Sequence, residues 1–322
     1  MFARFACPAT AQKNTIDRVS VSIYNIMYGK ISIEGFPMNE NTLVQIVRNH
    51  IPNLTIQTHC MDDTGQNNAI LIVNDEWVFK FPRHTGEINA LKKEAAALRV
   101  LQPRLSLAVP DIRYDFLDEA PVSEAFCGYR KLPGQPMLRA HFDDMPDKAA
   151  LAAQLGIFLK QLHSAPYDGL DIATMDALRF FEDMYADVQK HLLAHMREDA
   201  ARTVISDFES YLDASKLHAY APCLIHGDCG PTNILADEER ITGVVDFGSL
   251  CVSDPAMDIA CLIGKFGYGE AFVLQMRTAY PEVESYLPRA RFYASTFALQ
   301  DALFGVRHGD QKAFDFGMED YV

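Results

Sequence analysis

His226-Gly-Asp-Cys-Gly-Pro-Thr-Asn-Ile-Leu-Ala-Asp-Glu-Glu-Arg-Ile-Thr-Gly-Val-Val-Asp-Phe-Gly248 is the stretch that decides the fold. It spaces three polar residues: Asp228, then Asn233 five positions on, then Asp246 thirteen further. Between the last two, Ile234–Ala236 reads as a short apolar strand, Asp237–Arg240 as a charged turn and Ile241–Phe247 as a second strand. A hairpin brings its ends together, so Asn233 and Asp246 are expected side by side, with Asp228 on the loop just before them. Two carboxylates and an amide oxygen converging on one point suit phosphoryl transfer. One carboxylate takes the proton of an acceptor hydroxyl; the other two groups hold Mg²⁺ on nucleotide phosphates. Taken singly, His-Gly-Asp is a common loop tripeptide and Asp-Phe-Gly a strand end before a turn. Their order and spacing carry the reading.

That spacing is also the catalytic-loop and metal-loop pattern of protein kinases, with Gly227 where those enzymes have Arg. A kinase-like reading demands a strand lysine upstream, paired with a helix glutamate. Ala69–Val73, a turn at Asn74–Glu76 and Trp77–Arg83 form a hairpin with Lys80 in its second strand. The segment Glu87–Leu101 follows, with Leu91, Ala95, Leu98 and Leu101 at helical spacing. Glu94, fourteen residues after Lys80, is the natural partner and Glu87 the runner-up. Taken alone, both residue types read as solvated surface. The loop Cys60-Met-Asp-Asp-Thr-Gly-Gln-Asn-Asn68 holds a single glycine, and its Asp62 and Asp63 should point away from phosphate. A strand at Cys127–Leu132 ends in the turn signal Pro133-Gly134 and marks the lobe boundary.

With His-Gly-Asp for His-Arg-Asp, the chain resembles the aminoglycoside phosphotransferase family of small-molecule kinases over about residues 40–310. The carriers are Lys80, Glu94, His226–Asn233, Asp246-Phe-Gly248 and Asp254-Pro-Ala-Met-Asp258. The tail Phe297-Ala-Leu-Gln-Asp-Ala-Leu-Phe-Gly305 also looks like members that modify the 2″ position. The resemblance implies an α+β, two-lobed, protein-kinase-like fold with a β-rich N-lobe and a mainly helical C-lobe. It implies a nucleoside triphosphate donor, ATP or GTP, with Mg²⁺ and a hydroxyl acceptor. Asp228 would be the catalytic base, with Asn233 and Asp246 as metal ligands. Lys80, Glu94, Thr64, Tyr129, Arg130 and Leu132 would serve the nucleotide, the last three at the hinge. Tyr129 would line the back of the base pocket; the alternative is an ordinary strand tyrosine. Asp258 would brace the catalytic loop. Glu270 and Asp301 are candidates for acceptor ammonium groups.

The rest of the C-terminal half reads as helices over Lys148–His163, Asp176–His195, Ala200–Leu217, Gln275–Tyr280, Tyr293–Phe304 and Gln311–Phe316. Asp254 is expected to cap a helix whose first residue is Pro255. A helix at Asn39–His50 opens the N-lobe, taken as residues 38–132, and residues 133–322 form the C-lobe. Residues 1–37 read as an extension of unknown role.

Charge sharpens the acceptor. Through Ala140 there are fifteen Lys/Arg and fourteen Asp/Glu, a net of +1; from His141 onward there are fourteen and twenty-nine, a net of −15. An acidic lobe attracts cations and argues against a nucleic-acid partner. No run of eighteen apolar residues suggests a membrane span. The N-terminus lacks a signal-peptide core, and seven cysteines without a Cys-x-x-Cys pair fit a reducing cytoplasm. Cys229 reads as a packing residue. The leading expectation is a cytoplasmic kinase for a small cationic acceptor, an aminoglycoside, acting as a monomer or weak dimer. A macrolide or a metabolic amine or sugar alcohol is the alternative acceptor. A non-catalytic nucleotide-binding regulator is the alternative class, which four retained functional residues disfavour.

Overall fold

The computed structural model describes residues 38–62, 67–118, 120–215 and 220–322. Two compact units emerge, and the described chain passes from one to the other at Leu132/Pro133, with Arg104–Ala108 belonging to the second unit.

Among the described residues, the first unit is a five-stranded antiparallel sheet with two α-helices. Strands β1 (His59–Asp62), β2 (Asn68–Val73), β3 (Trp77–Pro82), β4 (Ile112–Phe116) and β5 (Phe126–Arg130) lie in the order β1-β2-β3-β5-β4. Helix α1 (Glu40–His50) starts where Asn39 accepts the amide of Thr42, an N-cap that satisfies one orphan donor of the first turn. Its Leu43, Val44 and Val47 join Ala69, Leu71, Val73, Phe79, Phe81 and Phe126 in one apolar cluster. Strand alternation explains this: Ala69, Leu71 and Val73 are fully buried, whereas Asn68, Ile70 and Ile72 face the other way and are half-buried. Helix α2 (Thr85–Leu101) follows β3 at once. The turn between β2 and β3 places Asn74 and Asp75 at positive φ and closes with the Glu76 amide on the Val73 carbonyl at 2.9 Å, the geometry of a type I′ turn. Strand β5 stops at Arg130, two residues short of the expected Leu132.

The second unit is helical around two small sheets. Its helices are α3 (Arg139–Asp144), α4 (Lys148–His163), α5 (Ala177–His191), α6 (Glu198–Ser215), α7 (Ala256–Ile263), α8 (Glu270–Gln275), α9 (Val283–Ser295), α10 (Phe297–His308) and α11 (Gln311–Met318). Three expectations are corrected. Tyr293–Phe304 spans the end of α9 and the start of α10, because Thr296 breaks the run by bonding its own preceding turn. Gln275–Tyr280 holds only a 3-10 turn after α8, closed by Ala279 and Tyr280 amides on Met276. Helix α7 begins one residue after Pro255, although the Asp254 carboxylate still accepts the Ala256 amide at 2.9 Å. Strands β6 (Gln135–Pro136), β8 (Ile234–Ala236) and β9 (Ile241–Val244) form one sheet; β7 (Cys223–Ile225) and β10 (Cys251–Ser253) form the other. No helix among the described residues is long and apolar enough to cross a membrane.

Candidate active site

The site is built on the β8–β9 hairpin. Ile234 faces Val244, and the Val245 amide bonds the Asn233 carbonyl at 2.9 Å, so Asn233 and Asp246 emerge side by side. The Asp237 carboxylate caps the intervening turn by accepting the amides of Glu239 and Arg240, each at 2.9 Å. The second strand ends at Val244, three residues before the expected Phe247. Asp246 takes the left-handed conformation, φ 62°, and Phe247–Ser249 closes as a 3-10 turn. A carboxylate held in that sparsely populated region is characteristic of functional sites, where surrounding bonds hold the strain.

Asp228 sits on the loop before the hairpin. Asn233 Nδ2 donates to the Asp228 carbonyl at 2.9 Å and to its Oδ2 at 3.1 Å. The amide orientation is thereby fixed, and Oδ1, a hard oxygen donor, faces away from Asp228. Burial drives the Asp228 carboxyl well above the usual carboxylate range, and the charge of Asp246 pushes it further. The donor set, Asp246 carboxylate plus Asn233 amide oxygen, matches the oxygen ligands that Mg²⁺ takes.

Backbone bonds hold the loop in place. The amides of His226 and Gly227 donate to the two oxygens of Asp258, at 2.9 and 2.8 Å. Asp258 is fully buried in the first turn of α7 and also bonds His163 Nε2 of α4 at 3.0 Å. Burial alone would raise the Asp258 carboxyl; the bond and charge of His163, with help from His226, hold it below its ordinary value. The expected brace is therefore present as geometry. His226 ties the two motif halves together: its Nδ1 accepts the Asp228 amide, so Nε2 carries the proton and donates to Val245 O at 3.1 Å. Its ring also packs on Phe247, centroids 4.6 Å apart. Gly227 has φ +77°, and a Cβ there would lie 2.4 Å from the Ser249 carbonyl oxygen. The loop meets the Phe247–Ser249 turn backbone to backbone, so no side chain fits where protein kinases carry Arg.

In the sheet unit, Lys80 Nζ bonds both Glu94 oxygens, at 3.0 and 2.9 Å, with both residues buried. Glu87, the runner-up, is buried in the first turn of α2, 3.8 Å from His84. Tyr129 is buried and pairs with Val78, while Cys127 pairs with Lys80. Alternation thus places the Tyr129 side chain on the same face as Lys80. Arg130 turns outward: its guanidinium pairs with Glu76 and lies over Trp77. Leu132 is half-buried just beyond β5. Thr64 lies outside the described residues.

The acceptor candidates differ from one another. Glu270 already meets Arg291 through two bonds, 2.8 and 2.5 Å, so an incoming cation must share or displace that guanidinium. Asp301 is buried within α10. Cys229 is fully buried and burial pushes its thiol well up, which makes it inert packing rather than a nucleophile.

Several structural supports escaped sequence reading. His163 is one: its place at the end of the Lys148–His163 helix, just after Leu162, was its only signal. Its Nδ1 meets Tyr280 at 2.9 Å, and Tyr280 meets Tyr286 at 3.1 Å. Arg289 and Tyr293 are others, bonding the Asp254 carboxylate at 2.5 and 3.1 Å and at 2.8 Å.

A kinase-like fold whose hairpin and preceding loop carry Asp228, Asn233 and Asp246 defines a phosphotransferase. The chain belongs to the phosphotransferase enzyme family (APH), which it matches over residues 63–293. Among solved structures it is similar to the GDP and kanamycin complex of APH(2")-IIia, with TM-score 0.78 and 25% identity over 86% of this chain and 96% of that one. It is similar in fold to a macrolide 2'-phosphotransferase type I, with TM-score 0.68 and 20% identity over 88% and 96% of the two chains. Over 105 residues it is 31% identical to the viomycin phosphotransferase of Streptomyces vinaceus, covering 30% of this chain and 35% of that protein.

Proposed function

We propose that the protein moves the γ-phosphoryl group of GTP or ATP to a hydroxyl of a small cationic acceptor, an aminoglycoside. The observation that carries the reading is the Asn233 amide tied to Asp228 beside Asp246. Asp228 orients the acceptor hydroxyl and receives its proton. Asn233 and Asp246 hold Mg²⁺, which when bound neutralises charge on the transferring phosphates. Lys80, fixed by Glu94, steadies the α- and β-phosphates. The −15 net charge from His141 onward supports a cationic acceptor, with Glu270 and Asp301 as partners for its ammonium groups. The kanamycin in the APH(2")-IIia complex supports it further. The acidic balance disfavours nucleic acid, and the reading places the enzyme in the cytoplasm as a monomer or weak dimer. The likeness to a macrolide enzyme keeps a second acceptor in view. A macrolide site needs apolar walls and few carboxylates, so an acceptor panel separates the two.

Asp246→Asn should weaken Mg²⁺-dependent turnover severely. A neutral amide keeps the shape and loses the charge that holds a hard cation. Titration of activity against Mg²⁺ is the measurement, and an unchanged midpoint would remove Asp246 from the metal site.

Tyr129 bears on donor choice. Adenine offers N1 and its amine to the hinge, whereas guanine offers an N1 donor and a C6 oxygen and must shift. A tyrosine narrowing the pocket disfavours the adenine pose and tilts use toward GTP, in keeping with the GDP of the APH(2")-IIia complex. A clash or lost bond of ~1–3 kcal/mol suffices. Tyr129→Ala should raise the ratio of kcat/KM for ATP over GTP. An unaltered ratio would make Tyr129 plain packing.

A further inference from the structure

Among the described residues, two buried polar atoms of the sheet unit lack any hydrogen-bond partner: Asn68 Oδ1 and His84 Nδ1. Buried polar atoms are nearly always bonded, so two on adjoining segments ask for a reason. Asn68 opens β2 and faces Pro82 of β3, two residues along from the Ile70–Lys80 pair. Alternation puts its side chain on the face that carries Lys80 and Tyr129, opposite the apolar face of Ala69, Leu71 and Phe81. His84 follows β3 directly and leads into α2, the helix of Glu94. It occupies the N-cap position, yet its side chain caps no amide. Its Nε2 lies 3.8 Å from Glu87, beyond a hydrogen bond, and its side chain is 17% exposed. Burial holds its pKa below the ordinary histidine value, so the ring is neutral near pH 7. A carboxamide and a neutral imidazole share one property: each can present an N–H by turning over or changing tautomer.

We propose that Asn68 and His84 bind phosphate oxygens of the nucleoside triphosphate, further along the strand face than Lys80. This rests on the nucleotide-dependent reading above. The Asn68 amide turns its NH₂ to the phosphate, and His84 donates from Nδ1. Polar atoms left unsatisfied by the fold are satisfied by the ligand, and Lys80 supplies the charge the two neutral groups lack.

Asn68→Leu and His84→Phe test the idea, because apolar groups of similar shape cost little where a polar atom was unpaired. Calorimetric titration with Mg²⁺ and ATP, GTP, adenosine or guanosine gives the readout, with Tm measured alongside. Expected is an equal or higher Tm together with at least tenfold weaker ATP and GTP binding, and nucleoside binding unchanged. His84→Gln, which keeps an N–H, should retain more affinity than His84→Phe. Unchanged triphosphate affinity in Asn68→Leu and His84→Phe overturns the proposal, as does parallel loss of nucleoside binding or an equal loss in His84→Gln. If the unsubstituted protein bound neither triphosphate, the nucleotide-dependent reading itself would fail.

Discussion

Asp228→Ala should lower kcat by about 10²–10⁴-fold, the usual cost of losing a positioned general base, while nucleotide still binds. Asp228 stands on the loop before the hairpin, held through its carbonyl and Oδ2 by the Asn233 amide. Burial and the charge of the neighbouring Asp246 raise its proton affinity. Alanine removes the carboxylate but leaves the Asn233 bond to the Asp228 carbonyl, so Asn233 Oδ1 keeps its direction. Binding and chemistry should therefore separate: nucleotide affinity close to that of the parent, and turnover nearly gone. Turnover near the parent rate would remove Asp228 from the base position.

Asp258→Ala should be the most destabilising single change in the helical unit. One side chain satisfies two buried amides and a buried imidazole, at 2.9, 2.8 and 3.0 Å. Its removal strands all three, and losing one partner of a buried, bonded charge costs about 3–5 kcal/mol. The Asp258 carboxyl is held below its ordinary value in the folded chain. Its stabilising contribution is thus complete above the unfolded value, about 3.9, and fades as pH falls through the lower folded value. Thermal melts should show a large drop for the variant at neutral pH and a smaller gap in strong acid. A variant melting with the parent at neutral pH would contradict the bracing role.

The polar skeleton of the site was legible because it lies in one short stretch. Asp228, Asn233 and Asp246 are linked by a single hairpin, and local register alone brings them together. Lys80 and Glu94 were legible as a strand residue and a helix residue; Glu94 was the first choice, and Glu87, on the same face of α2 but nearer its start, meets His84 instead. Helix ends were less legible. Thr296 splits one apolar run into α9 and α10 through a side-chain bond to Tyr293, and periodicity is blind to such a bond. His163, Tyr280, Arg289 and Tyr293 were invisible as supports because their partners are 35 to 117 residues away in sequence. Glu270 looked like an unpaired acid until α9 brought Arg291 to it.

The most direct test is phosphoryl transfer itself. The protein, with Mg²⁺ and GTP or ATP labelled at the γ-phosphoryl group, is incubated with a panel of aminoglycosides, macrolides and small amines or sugar alcohols. Label is then followed onto each acceptor. The expected result is label on an aminoglycoside hydroxyl, lost in Asp228→Ala. Label on macrolides alone would overturn the cationic acceptor, and label on no acceptor with either nucleotide would contradict the account at its centre.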